Sequence, residues 1–210
     1  MTITHHPEDV TLLAYAAGAL PKSLALVVDA HLEACAKCRR MIPFWEAVGG
    51  ALLDAQAETQ MNENALALAL DCLAAEGPQT VTGERRTQPP RHVSPVSWLR
   101  PAGRIPLGPG IWAASLLSDR RTRSRTIVLG LAAGKRLPRH SHQGVEMVCV
   151  LQGEFVAGGQ RYCRGDFAEA EGHDEHAPKA TGAGECVCII GWTAPPRFKG
   201  VLGWIADRFL

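Results

Sequence analysis

The stretch His31-Leu-Glu-Ala-Cys35-Ala-Lys-Cys38 decides how the first third of the chain is read. Its three soft or borderline donors stand at i, i+4 and i+7, one stripe of an α-helix, and so face a common point. A tetrahedral metal site closed by protein needs a fourth donor, usually imidazole or thiolate, and this count and softness fit structural zinc. The paired His5-His6 is the obvious supply, and because neighbours cannot both face the ion, one of them is a bystander. A CxxC alone also suits a redox dithiol or two buried apolar side chains. A thioredoxin-like dithiol would follow a strand, however, and what precedes Cys35 reads as helix.

Working outward, Pro7-Glu8-Asp9 reads as the first turn of a helix, with acids at the positive end of its dipole. Leu12, Leu13, Tyr15 and Ala16 form its apolar face, and Gly18 stops it. Pro21 opens a second helix in which Leu24, Val27, Val28, His31, Cys35 and Cys38 continue one stripe. A third is expected after Pro43, using Phe44, Trp45, Val48, Leu52 and Leu53, with Gly49-Gly50 weakening its middle. A fourth runs from about Asn62 to Glu76, with Leu66, Leu68, Leu70 and Leu73 spread around its circumference. Such a helix packs on the bundle or waits for a partner groove.

From Gly77 to Ser97 the chain is Pro/Gly/polar without periodicity, which is a linker. Beyond it come short strand-like runs: Trp98-Leu99, Gly110–Leu117, Arg125–Leu129, Glu146–Leu151, Glu154–Val156, Arg161–Cys163, Asp166–Ala168 and Glu185–Trp192. Turn signals separate them, so this part is an all-β sandwich or barrel, with a short helix expected at Val201–Leu210. The fold class is therefore two domains: a small all-α bundle over residues 1–78, a linker over 79–97 and an all-β unit over 98–210.

The net charge of +1 hides an asymmetry, because residues 1–80 carry four basic and ten acidic side chains, a net of −6. An acidic module suits a basic partner surface and repels nucleic acid. The arginine-rich stretch Glu84–Arg139 reads as linker and strands without aromatic interleaving, so no direct nucleic-acid contact is expected. The amino terminus lacks the basic and apolar regions of a signal peptide, and no apolar run nears the ~20 residues of a membrane span. Seven cysteines, partly at metal spacing, further favour a reducing, cytoplasmic setting without a membrane contact.

A second constellation lies in Gly134-Lys-Arg-Leu-Pro-Arg-His140-Ser-His142-Gln-Gly-Val-Glu146 and the strand that follows to Gly153. On an extended segment His140 and His142 point to one side, and Glu146 reaches the same interior from the next strand. His176 completes three imidazoles and one carboxylate, with His173 a competitor for the last place. Such a set takes zinc, manganese, iron or nickel.

These residues carry a resemblance over nearly the whole chain. Gly134–Gly153 resembles the first cupin motif, GxxxxxHxHxxxExxxxxxG, at full spacing. Gly165–His176 resembles the second, with Glu171 in place of the usual proline, the second glycine shifted to Gly172, and Ala180 in place of the usual asparagine. These departures bear on cupin enzyme chemistry more than on the metal site. The His-x3-Cys-x2-Cys helix with an upstream histidine is similar to the zinc-binding anti-sigma (ZAS) domain. A ZAS domain joined to a cupin is the layout of the ChrR family of anti-sigma factors, and Met1-Thr-Ile-Thr-His-His followed by Leu12-Leu-Ala-Tyr-Ala-Ala-Gly18 resembles that family.

The resemblance implies a helical zinc domain ligated by His6, His31, Cys35 and Cys38 and a jelly-roll-like cupin barrel ligated by His140, His142, Glu146 and His176. It implies a protein without catalysis that binds one extracytoplasmic-function sigma factor and covers its polymerase-facing surfaces. The cupin, holding zinc or another divalent metal, would sense singlet oxygen or related peroxides. Cys149, Cys186 and Cys188 are thiols that such an oxidant could meet, and the change would pass to the helical part through the docking of the two domains. The alternative is a metal-dependent oxygenase or isomerase with an accessory zinc domain, since three histidines and a carboxylate leave coordination positions open.

Overall fold

The structure, a computed structural model, describes residues 2–75, 103–119, 121–172 and 175–198. The linker, the Trp98-Leu99 strand, His173 and the carboxy-terminal helix expected from sequence lie outside the described residues.

Helix α1 (Asp9–Ala16) begins two residues later than the Pro7 signal, with Glu8 at its N-cap and Asp9 in its first turn. Gly18, at φ 69°, ends it by a Schellman arrangement in which Gly18 N donates to Tyr15 O and Ala19 N to Ala14 O. Helix α2 (Lys22–Ala34) carries the apolar stripe as far as His31 and then stops. The single helix expected through Cys38 is corrected here: Cys35 is extended (φ −105°, ψ 98°) and caps the start of α3 (Ala36–Asp54). Its Sγ accepts the Cys38 N–H, so a thiol does the work of a serine or aspartate at an N-cap. The third helix accordingly starts seven residues before Pro43 and takes the proline into its interior, where the ring removes one backbone donor. Helix α4 (Ala65–Ala75) follows and buries none of its side chains.

Among the described residues, eleven strands make the second part. Strands β1 (Ile105–Gly108), β2 (Ile111–Asp119), β3 (Ser124–Leu131), β5 (Glu146–Gln152), β8 (Phe167–Ala170) and β10 (Cys186–Trp192) form a six-stranded sheet in the order β1-β2-β3-β10-β5-β8. A three-stranded sheet joins β6 (Glu154–Ala157) to β7 (Gln160–Cys163) and β9 (Lys179–Thr181), and β4 (His140–Ser141) pairs with β11 (Arg197–Phe198). Strand β1 carries Pro106 in its interior, and β4, β9 and β11 are only two or three residues long, so none of the four was legible as a strand.

The centre of the large sheet, β3, β10 and β5, is buried on both faces. Ile127, Leu129, Val150, Cys186, Cys188 and Ile190 fill the barrel interior. From the opposite face Met147, Cys149, Phe167 and Ile189 join one core with Leu24, Val27, Val28 and Leu32 of α2. The helical bundle and the barrel thus dock through a shared core, with α2 lying across β10, β5 and β3. Full burial of each of Leu24, Val27 and Val28 contributes roughly 1.5–3 kcal/mol, and much of it depends on the barrel.

Gly191 permits this approach. A Cβ there would overlap the Ser23 carbonyl oxygen and lie 2.9 Å from Val27 Cγ2. The same carbonyl accepts the Thr126 hydroxyl at 2.9 Å, which registers α2 on the sheet. Gly191→Ala is expected to cost about 2 kcal/mol by overpacking and to lower Tm by about 4–8 °C in thermal unfolding. An unchanged Tm would show that α2 does not sit on β10.

Candidate metal centres

The first centre forms where the amino-terminal segment, the end of α2 and the start of α3 meet. Donor atoms of His6, His31, Cys35 and Cys38 all lie within 4.8 Å of one another. His6 Nδ1 is 3.4 Å from Cys35 Sγ and 3.4 Å from Cys38 Sγ. Zinc bonds of ~2.0–2.3 Å in a tetrahedron imply edges of roughly 3.3–3.8 Å, so these separations suit one ion between the donors.

His31 is fully buried. Its Nδ1 donates to the Gly165 carbonyl at 2.8 Å, which fixes the tautomer and leaves Nε2 as a lone pair without a hydrogen-bond partner. Burial lowers its pKa to about 4, against the opposing pull of the Gly165 bond. Burial first, and the neighbouring Cys35 second, push the Cys38 thiol up to about 12. An orphaned imidazole nitrogen facing two buried thiols is the environment a soft divalent cation satisfies, and the residues fit such an ion.

The structure separates the two adjacent histidines. His6 turns to the cysteines, while the His5 ring lies against Tyr162 at 4.5 Å between centroids and 3.5 Å from the Asp166 carboxylate.

The second centre lies in the barrel. His140 and His176 face each other across a two-way backbone bridge, with both N–H···O distances 3.0 Å. His176 Nε2 is 3.0 Å from His140 Nε2 and 3.3 Å from His142 Nε2. His140 Nδ1 donates to Pro138 O at 2.9 Å, so its Nε2 presents a lone pair to the other rings. Glu146 completes the group, 3.5 Å from His142 Nδ1 and 3.8 Å from His176 Nε2.

Burial raises the Glu146 pKa to about 8. Burial, then repulsion from His140 and His176, lowers that of His142 to about 4. Lone pairs converging on a buried carboxyl disfavour one another, and a divalent ion among them reverses the sign of that interaction. All four predicted donors are brought together, and a cavity of about 480 Å³ opens beside His140, Glu146 and His176. Cys186 and Cys188 line the same cavity with their sulfurs 3.7 Å apart, whereas Cys149 lies on the opposite face of the sheet in the helix-shared core.

Three residues that sequence reasoning did not single out join the two parts. Gly165 accepts from His31, Asp166 binds the amino-terminal segment, and Glu169 on β8 accepts from Glu8 N at 3.2 Å and Thr11 Oγ1 at 3.1 Å at the start of α1. A readable signal for this docking was the unbroken apolar character of Thr126–Leu131 and Cys186–Ile190, the mark of strands covered on both faces.

This chain is 33% identical over 218 aligned residues to the anti-sigma-E factor ChrR of Cereibacter sphaeroides, covering 100% of this chain and 99% of that one. The chain belongs to the ChrR family of anti-sigma factors. A family model described as the ChrR cupin-like domain matches residues 99–194 of this ChrR-family chain, and a zinc-finger model matches residues 12–39. The crystal structure of Rhodobacter sphaeroides SigE in complex with the anti-sigma ChrR is similar at TM-score 0.71 and 31% identity, covering 91% of this chain and 99% of that one. Anti-sigma factors are regulators rather than enzymes, and the oxygenase or isomerase alternative is set aside on that ground. Among the described residues no helix is long and apolar enough to cross a membrane.

Proposed function

We propose that this ChrR-family chain captures one extracytoplasmic-function sigma factor through its helical part and releases it when singlet oxygen or an organic peroxide acts on the barrel. The observation that carries the capture is the apolar surface of α3 and α4. Phe44, Leu52, Leu53, Leu66, Leu68, Leu70 and Leu73 are exposed, Leu66 and Leu73 at 72% and 68%. An eleven-residue helix is marginal in water unless it packs, and α4 buries none of its side chains among the described residues. Apolar surface of this extent marks an interface. The relative ChrR is found in complex with SigE, which supports the same class of partner here. The net charge of −6 over residues 1–80 complements basic surfaces of such a partner.

Zinc is the ion assigned to His6, His31, Cys35 and Cys38, because two thiolates and two imidazoles close a structural tetrahedron. His140, His142, Glu146 and His176 are assigned to zinc or another divalent metal with an open position facing the cavity. An oxidant entering there meets the Cys186 and Cys188 thiols and the metal donors together. The working units are residues 1–78 and 98–210 joined by 79–97, acting in the cytoplasm without contacting nucleic acid or membrane.

Leu66→Glu/Leu70→Glu tests the capture, because these side chains share a face at i,i+4 and bury nothing in the free protein. Loss of two interface anchors is expected to weaken sigma-factor binding about 30-fold or more, with Tm changed by no more than about 1–2 °C. Undiminished co-purification of the sigma factor would place the contact elsewhere.

A further inference from the structure

The two histidines of the helical centre are held by one turn of the barrel. Asp166, only 2% exposed, accepts Thr4 N at 2.7 Å and His5 N at 3.0 Å through Oδ1, and Cys163 N at 2.8 Å through Oδ2. On the other side of the same strap Phe167 N donates to His5 O at 3.1 Å. Thr4 and His5 are thus pinned from both sides, and the next residue, His6, is presented to Cys35 and Cys38. The preceding residue of the turn, Gly165, supplies the carbonyl that fixes His31. Gly165 adopts φ +88°, and a Cβ there would come within 2.7 Å of Ile3 Cδ1 and 3.2 Å of Ala34 Cβ, so strap and α2 close over it on both sides.

We infer that the turn Cys163–Phe167 of the barrel is the outer layer of the helical metal centre, with Gly165 O holding His31 in its metal-ready tautomer and Asp166 holding the strap that carries His6. The helical cysteines are positioned by the α2–α3 junction, whereas the hydrogen bonds that orient the two histidines come from the other domain. The turn is itself bonded into the barrel, since Gly165 N donates to Val150 O at 2.8 Å and Val150 N to Asp166 O at 3.1 Å. Val150 sits on β5, the strand that begins with Glu146 of the second centre and runs antiparallel to β8. One ladder therefore connects the two centres, and a shift of β5 at the barrel metal moves the turn that orients His31 and His6. This deepens the proposed function by giving the sensor a physical route to the sigma-binding part, and it rests on His6, His31, Cys35 and Cys38 being the ligands.

The test uses the full chain loaded with Co²⁺ and followed by thiolate-to-cobalt absorbance while a chelator withdraws the metal. Removing a group that orients a metal ligand weakens metal binding about 10–100-fold. Asp166→Ala is expected to release the helical ion at least about 10 times faster than the parent chain. Asp166→Asn keeps an oxygen for Thr4 N and His5 N but cannot accept from Cys163 N, so its rate is expected to fall between the two. In the zinc-loaded parent chain, long-range ¹H–¹⁵N correlation is expected to show His31 protonated on Nδ1 and metal-bound through Nε2. Equal release rates for parent and both variants, or a His31 bound through Nδ1, overturn the inference about the turn. A parent chain without thiolate-to-cobalt absorbance overturns the ligand assignment itself, and with it the function built on that centre.

Discussion

Cys35→Ser/Cys38→Ser is expected to abolish capture of the sigma factor and to remove one equivalent of metal from the chain. Both sulfurs are buried in the core shared by α2, α3 and the sheet, and His6 Nδ1 lies 3.4 Å from each. Serine hydroxyls do not replace thiolates toward a soft ion. Structural zinc supplies about 10–16 kcal/mol of folding free energy in small peptides, comparable with the whole stability of a domain, which is about 5–15 kcal/mol. Without the ion, His31 Nε2 is a buried nitrogen lacking a partner, and His6 has nothing to join it to the two cysteines. α1 and α2 then rely on apolar contact with the barrel, and α3 and α4 lose the geometry that displays their exposed leucines. Metal analysis together with co-purification of the sigma factor checks this, and full retention of the partner by the double variant would falsify zinc-dependent capture.

His140→Ala/His142→Ala is expected to remove the second equivalent of metal, leave capture intact and eliminate release by singlet oxygen. Both imidazoles are buried and converge on His176 and Glu146, so their loss leaves one imidazole and a carboxylate, too few to hold a divalent ion tightly. These substitutions replace no helical donor and no exposed leucine, and β5 keeps its pairing with β10 and β8. Sigma-factor release after illumination with a photosensitiser, compared in the parent and the double variant, provides the measurement. Retained release would move the sensor out of this centre. Substitutions in the full chain serve better than deletion of residues 98–210, because deletion would strip Met147, Cys149, Phe167 and Ile189 from α2 and expose Leu24, Val27 and Val28.

Both candidate donor sets were legible in the sequence. His31, Cys35 and Cys38 in one stretch, and His140, His142 and Glu146 in another, are local patterns, and few other roles use those residue types at those spacings. The long strands were legible for a similar reason: Ser124–Leu131, Glu146–Gln152 and Cys186–Trp192 carry their own apolar runs. The break at Cys35 was not, because the apolar periodicity continues straight through it. The interruption comes from a tertiary requirement that turns the CxxC toward His6. The short strands β4 and β11 were not legible either, since two residues such as His140-Ser141 have no period and become a strand only by pairing with Arg197-Phe198.

Local patterns thus carried the two classes of structure, the candidate donor residues of each centre and the acidic, leucine-rich character of the helical part. Donor chemistry alone left His5 and His6 side by side, and it was the resemblance that pointed to His6. The tertiary structure orients the pair, through an Asp166 carboxylate more than 150 residues away that accepts both Thr4 N and His5 N while His6 faces the two cysteines. Only the tertiary structure showed that the bundle and the barrel share a core across Gly191, and that the tautomer of His31 is set by a carbonyl of the other domain. The physical reason is common to these cases. Ligand chemistry and apolar periodicity are written in neighbouring residues, whereas the hydrogen bonds that orient a ligand and the close approach of two backbones come from parts of the chain far apart in sequence.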